Sequence, residues 1–401
     1  MLATAQRLPH DVLCELFEHL AAVDPAGLQP EADRRSLGWI IATHVCARWR
    51  EVGLSMSVLW ADVVCTFPSV AIADELLVRA RDCLLYIAVG PRARVRYFIP
   101  VSWGMKHLRR ARTFRCHIDR WSTFTDNHSE AYSALTESTL PFLQHLHLFY
   151  NAKTERDDAL PTLQLKCPSL LGAHFRNILP HASFAESASA LSRLCLDIGH
   201  NAPSHDLSSG LSTLRDMPCL EHFELHIRAY NAGPLFSRGI VRVEKLKTLH
   251  VSCSNVLHAS DMLQFLCVPH IVDTSIAIRS KLRDGDDSVF TRVLVQQPQA
   301  LRTGSISVSA SSLKLESSDG PDRATFSLTW WPRAPWGMNS VLTYPEILSA
   351  LPRHMDLSSF TSCALWFPDP SPDGRGAGAG AALAGLRQAL RSVETLTLHN
   401  A

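Results

Sequence analysis

An apolar residue followed by others three and five positions later recurs along most of this chain. Leu143-Leu146-Leu148, Leu170-Ala173-Phe175, Leu191-Leu194-Leu196, Leu220-Phe223-Leu225 and Leu246-Leu249-Val251 share the pattern. Phe360-Cys363-Leu365 and Val393-Leu396-Leu398 repeat it near the end. The five middle starts, at 143, 170, 191, 220 and 246, are 27, 21, 29 and 26 residues apart. Self-similarity at such a period marks a repeat architecture, in which each unit buries its apolar residues against the next. Pro141, Pro168 and Pro218 each precede the repeat leucine by two residues, a shared punctuation. The chain from about residue 83 is therefore expected to lay short strands side by side.

Side chains alternate along a strand, so the residue between two inward leucines points outward. Those positions are His147, His174, Cys195, Glu224 and His250, with His145, His222, His226, Arg176 and Asp197 flanking them. Neighbouring strands lie about 4.8 Å apart, so these side chains form adjacent columns. Three readings are open: a solvated face, a partner-binding face centred on His147, His174, Glu224 and His250, or a metal site. The last is disfavoured because ligands on a flat ladder rarely converge on one point, and no metal or other cofactor is expected. A partner-binding face would lose affinity below about pH 6.5, as histidines gain charge.

The period and phase resemble those of leucine-rich repeats, well over residues 83–255 and less closely over 355–401. The resemblance is degenerate. The asparagine that caps the strand in regular repeats is mostly missing, although Asn151, Asn177 and Asn400 lie near suitable positions. Between Leu246 and Phe360 the phase is lost, and residues 308–331 read instead as a β-hairpin around Asp319-Gly320. A solenoid end needs a polar cap. Either the segment 382–393 (ALAGLRQALRSV) supplies it or the chain has been cut short.

The N-terminus follows a different rule. Val12, Leu13, Leu16, Phe17 and Leu20 recur at helical spacing after Leu8-Pro9. Proline suits the start of a helix, where its missing N–H has no helical partner. Asp24-Pro25, Gly27 and Pro30 break the pattern. A second helix is expected to place Leu37, Ile40, Ile41, Val45, Trp49 and Val52 on one side, followed by Leu59-Trp60. A bundle this small cannot bury two full apolar stripes alone.

Leu8-Pro9 with an acid two residues on, Leu16-Phe17, the run Thr43–Cys46 with Trp49, and Leu59-Trp60 together resemble the F-box-like domain of fungal proteins. The resemblance covers roughly residues 7–65, with a longer gap at 21–36 than the family usually has. It implies a bundle that binds a Skp-type adaptor, and through it a cullin, using Leu8, Pro9, Leu13, Leu16, Phe17, Val45, Cys46 and Trp49. The alternative is that these residues only fill a small core. The fold class expected is α/β: an F-box-like helical bundle at 1–66, a linking helix at 67–82 and an irregular leucine-rich-repeat solenoid at 83–401. The function implied is substrate recognition in a Skp–cullin–F-box ubiquitin ligase, holding an unknown protein target. A scaffold protein with no ubiquitin-ligase role is the alternative. Neither needs catalytic residues.

Other chemistry lacks its motifs. No H-E-x-x-H or G-x-S-x-G occurs. The acidic run at 284–288 has Val295 where a calcium loop needs its bidentate carboxylate. Gly376, Gly378 and Gly380 alternate with alanine and read as low complexity. The eleven cysteines include no C-x-x-C, and several sit in apolar patterns, as buried thiols do in a reducing compartment. An intracellular protein, cytoplasmic or nuclear, is expected. A formal net charge of +1 gives no global reason for nucleic-acid or membrane binding. No apolar run has the ~20 residues of a membrane helix. One local asymmetry stands out: Arg92, Arg94, Arg96, Lys106, Arg109, Arg110, Arg112 and Arg115 have no acid among them. They are either an anion patch or an exposed repeat edge, and nucleic acid is not the expected partner.

Overall fold

A computed structural model describes residues 7–29, 34–90, 99–118, 133, 135–151, 162–181, 183–199, 207–228, 240–253, 256–267, 273–278, 304–308, 312–317, 325–330, 351, 360–367, 384, 388 and 393–400. It is a mixed α/β structure, with helices at the N-terminus and largely parallel strands after them. The chain divides into two units. One comprises Met1–Glu155, Leu163–Phe175 and Ser187–Ser189; the other comprises Arg156–Thr162, Arg176–Glu186 and Ala190–Ala401. No helix among the described residues is long and apolar enough to cross a membrane.

In the first unit, helix α1 (His10–Val23) begins just after Pro9, whose carbonyl accepts from Leu13 N–H at 3.1 Å. Its apolar stripe turns Leu13 and Phe17 fully inward. A short antiparallel ribbon, Gly27–Gln29 against Arg34–Ser36, spans part of the 21–36 gap. The single second helix expected over 37–53 does not form. Gly38–His44 is a 3₁₀ helix, Cys46 is extended, and α2 (Ala47–Ser55) starts afresh. The break has local causes. Thr43 Oγ1 donates back to Ile40 O at 2.7 Å, a bond that competes with regular helix. Trp39 N–H is drawn to Asp24 O at 2.9 Å.

Gly38 makes that turn possible. Its φ is +52°, and an added Cβ would lie 2.4 Å from Asp24 O and 2.6 Å from Pro25 C. Both atoms are backbone and cannot swing aside. Gly38→Ala is expected to lower the stability of this unit by about 1–3 kcal/mol, combining left-handed strain with the clash. Faster hydrogen exchange in residues 34–55 would register it; unchanged exchange would refute it.

Helix α3 (Ser57–Val63) carries Trp60 into the core, where the Phe17, Trp39 and Trp49 rings gather. Phe17–Trp39, Phe17–Trp49 and Trp39–Trp60 centroids are 6.1, 6.0 and 4.8 Å apart, all in edge contacts. Helix α4 (Val70–Ala80), at the place expected for a linking helix, is capped by Ser69 and buries Ala73, Leu76 and Ala80 at helical spacing. Strands β1 (Leu85–Val89), β2 (Ala111–Ile118) and β3 (His145–Tyr150) then pair in parallel. Parallel neighbours need a crossover; α5 (Val101–Lys106) lies in the one between β1 and β2. Strand β4 (Gly172–Arg176) begins beside β3, where Leu171 and Gly172 N–H groups both donate to Gln144 O.

The second unit continues the theme. Strands β5 (Arg193–Ile198), β6 (His222–Ile227), β7 (Thr248–Cys253) and β8 (Asp273–Ile278) pair in parallel, each beside its predecessor. Helix α6 (Ser208–Ser212) lies between β5 and β6, and α7 (Val256–Phe265) between β7 and β8. Asn177, at φ +54°, accepts from Gly199 N–H through Oδ1 at 2.6 Å, an asparagine at one strand end tied to the next. Beyond β8 come β9 (Gly304–Val308), β10 (Ser312–Ser317) and β11 (Thr325–Trp330). The hairpin expected at 308–331 forms: β10 and β11 are antiparallel, with Leu313 opposite Leu328. Asp319-Gly320 itself lies outside the described residues. β11 pairs with β8 in parallel, β9 pairs antiparallel with β10, and β12 (Phe360–Phe367) and β13 (Thr395–Asn400) extend the sheet from β9 in parallel.

Every residue of the first six three-and-five motifs is buried. The periodicity therefore reports the core directly. At roughly 25 cal/mol per Å² of apolar surface, each leucine, valine or phenylalanine among them contributes on the order of 1.5–3 kcal/mol relative to an exposed one.

Candidate functional site

Two faces carry the residues singled out by sequence. On the N-terminal bundle the eight expected docking residues separate by burial. Leu13 and Phe17 are enclosed in the core. Leu8, Leu16, Cys46 and Trp49 are half-buried, while Pro9 and Val45 are exposed. Only the last six can meet a partner without the bundle opening. The break at Cys46 adds residues that a continuous helix had turned inward. Leu37, Ile41 and Val45 follow one another at four-residue steps and are 47%, 56% and 55% exposed. Val12 of α1 is exposed as well. Sequence reasoning missed Leu37 and Ile41 as surface residues; the signal was Gly38, a poor residue for a helix interior.

The outward strand positions alternate with the buried ones over most of each strand, but Asp197, expected outward, is buried. His147 and His174 belong to the first unit, Glu224 and His250 to the second. In the first, His147 and His174 rings stand 6.0 Å apart, and Phe149 packs against both at 6.4 and 4.8 Å. His117 stacks on the other side of this group, 4.5 Å from Phe149, and the Arg115 guanidinium lies 5.2 Å from the same ring. Burial first, then the charges of His174, Arg115 and His145, push the His147 pKa from 6.5 down to about 4.

That shift corrects the expected switch near pH 6.5 for this residue: His147 stays neutral there. It also sets a stability trend. With a folded pKa below the unfolded value, the unfolded chain binds more protons between them. The first unit should lose stability as pH falls from 6.5 towards 4, with no further contribution from His147 below that. Hydrogen exchange resolved to first-unit peptides and corrected for the intrinsic rate, in wild type and His147→Gln at pH 7 and pH 4.5, checks this. The variant should show the shallower pH dependence; equal slopes would refute the assignment.

In the second unit, Cys195, Glu224 and His250 stand side by side on β5, β6 and β7, in one register row. His226, two residues beyond Glu224, lies opposite Asp197. The ligand atoms of Cys195, Glu224 and His226 all lie within 4.8 Å of one another, so this ladder does converge. His226 Nε2 is 3.7 Å from Glu224 Oε2. Burial, followed by the Glu224 and Asp197 charges, pushes the Cys195 thiol up to about 12. Asp197 is buried and accepts from Arg176 Nε at 2.7 Å and from Arg228 Nη2 at 3.3 Å. The sequence placed these residues in columns, but the column picture gave no account of a long imidazole leaning along its strand.

The basic stretch is partly consumed by the fold. Arg112 pairs with Asp62 at 2.9 Å, and Arg110 donates to the Arg81 and Cys83 carbonyls. Arg92, Arg94 and Arg96 lie outside the described residues, as do the acidic run at 284–288 and the glycines at 376–380. No protein-family model, curated protein or solved structure matches the chain.

Proposed function

We propose that this protein is a non-catalytic adaptor: its N-terminal bundle docks a Skp-type subunit of a cullin-based ubiquitin ligase, and its strand faces hold a protein target. One observation carries the docking half. The bundle encloses Leu13, Phe17, Trp39 and Trp60, yet leaves Leu37, Ile41 and Val45 exposed. A small helical module that keeps a run of large aliphatic side chains in water is arranged to cover them with another chain. The resemblance of the surrounding residues to an F-box supports a small Skp-type adaptor as that chain.

The repeats support the target half. Their strands are short, parallel and successive, and Asn177 ties its strand end to Gly199 as strand-capping asparagines do in leucine-rich repeats. We take the region from residue 83 as an irregular solenoid of that kind, interrupted by the β9–β11 meander. Rate enhancement in such a ligase comes from proximity, so the chain supplies position rather than catalytic groups. The same reading places the protein in the cytoplasm or nucleus, where its eleven cysteines stay reduced.

The test is capture of the full-length chain by a purified Skp-type adaptor, followed by a cullin. A saturable complex with both is expected. Failure to bind the adaptor overturns the docking half; binding the adaptor without the cullin overturns the ligase assignment and leaves a scaffold.

A further inference from the structure

We infer that Cys195, Glu224 and His226 form a binding site for one divalent transition-metal ion of the zinc class. The convergence follows from the sheet. Parallel pairing of β5 with β6 sets Cys195 directly opposite Glu224. His226 projects from the same face of β6 two residues on, and side chains on a strand lean along its direction. The three ligand atoms thereby come within 4.8 Å of one another, and His226 Nε2 is 3.7 Å from Glu224 Oε2. With metal–ligand bonds of ~2.0–2.3 Å, donors around a tetrahedral zinc ion stand about 3.4–3.6 Å apart. The site thus needs only a side-chain adjustment of about 1 Å, well within the reach of the exposed Glu224.

The donor set selects the ion. A thiolate, an imidazole and a carboxylate suit zinc, whereas calcium and magnesium require oxygen ligands throughout. Three protein ligands leave the fourth position open towards the outward face, where water completes the tetrahedron in the isolated chain. The surroundings fit as well. Asp197 lies opposite His226 in the register, is buried, and keeps Oδ1 without a hydrogen-bond partner among the described residues. A carboxylate in that place is the usual orienting group behind a metal-bound histidine. Arg176 and Arg228, both bound to its other oxygen, offset its charge.

The inference is independent of adaptor docking, which uses the other unit. Full-length protein, reduced and stripped of metal with a chelator, is titrated with Co²⁺ and then with Zn²⁺. One equivalent of Co²⁺ should bind, with a near-ultraviolet thiolate-to-cobalt band and the visible bands of a tetrahedral ion, and Zn²⁺ should displace it. Cys195→Ser should abolish the thiolate band, and Glu224→Gln should weaken binding at least about 10-fold. Neither change should alter the circular dichroism or capture by the Skp-type adaptor. Absence of one-equivalent binding overturns the site. So does a thiolate band that survives Cys195→Ser, because ten other cysteines could then be its source. Unchanged affinity in Glu224→Gln overturns it too, since that side chain is exposed and its loss does not threaten the fold.

Discussion

Replacing Trp60 by alanine should destabilise the N-terminal unit by about 3–5 kcal/mol, the range for deleting a buried aromatic side chain. Trp60 is 1% exposed, its ring lies 4.8 Å from Trp39, and the Arg79 guanidinium sits 4.9 Å from its centroid. Its indole N–H donates to Gly53 O at 2.8 Å near the end of α2. Truncation therefore removes packing together with the shorter of the two hydrogen bonds that Gly53 O accepts, leaving it only Met56 N–H at 3.3 Å. Gly53 cannot be remodelled to compensate. A Cβ there would meet Thr43 Cγ2 at 2.7 Å and Phe17 Cζ at 3.0 Å. Because the chain has two units, a global melting curve would mix their transitions. Hydrogen exchange resolved to peptides of α1–α3 is the proper measurement. Protection falling by several hundred-fold or more is expected; a change below about 5-fold, ~1 kcal/mol, would show that Trp60 is not the keystone of this core.

Ile41→Asp with Val45→Asp should abolish adaptor binding while leaving the bundle folded. Both side chains are more than half exposed, so a carboxylate at either position stays hydrated in the free protein. In a complex each would be buried without a partner, and hot-spot losses of about 2–4 kcal/mol correspond to about 30- to 1,000-fold in Kd. Leu13→Ala or Phe17→Ala should also reduce binding, by another route. Those side chains are wholly enclosed, so their loss acts through unfolding. Titration calorimetry paired with hydrogen exchange separates the two cases. Double-aspartate protein that binds the adaptor within about 3-fold of wild type would remove Leu37–Val45 from the interface.

The strands were the most legible part of this chain. A leucine that recurs with a fixed offset reports a buried ladder, and the burial of the first six motifs follows that offset. Strand β8 escaped because it puts Thr274 where the template wants an apolar residue; Thr274 is nevertheless buried, with Ile276 and Ile278. The hairpin was legible because its period-two pattern is local. The helices were harder. Six apolar residues from Leu37 to Val52 fit one helical stripe, and nothing in spacing alone shows that Gly38, Thr43 and Cys46 split it. Spacing alone therefore puts Leu37 and Ile41 on the inward stripe, whereas they lie outward. The Cys195–Glu224–His226 cluster was visible only as three polar positions, since convergence depends on side-chain lean and not on register.

The meander of β9, β10 and β11 also has a consequence of parity. The sheet steps from β11 to β10 and from β10 to β9, reversing direction twice. Two reversals cancel, so β12 and β13 run the same way as β5–β8, and among the described strands from β5 to β13 only β10 opposes them. Among the described strands paired from β5 to β13, the C-terminal ends of all but β10 consequently open onto one rim. The turns leaving that rim can lengthen or change composition without moving the ladder beneath, whereas an insertion carrying a single reversal would send every later strand's exit to the opposite side.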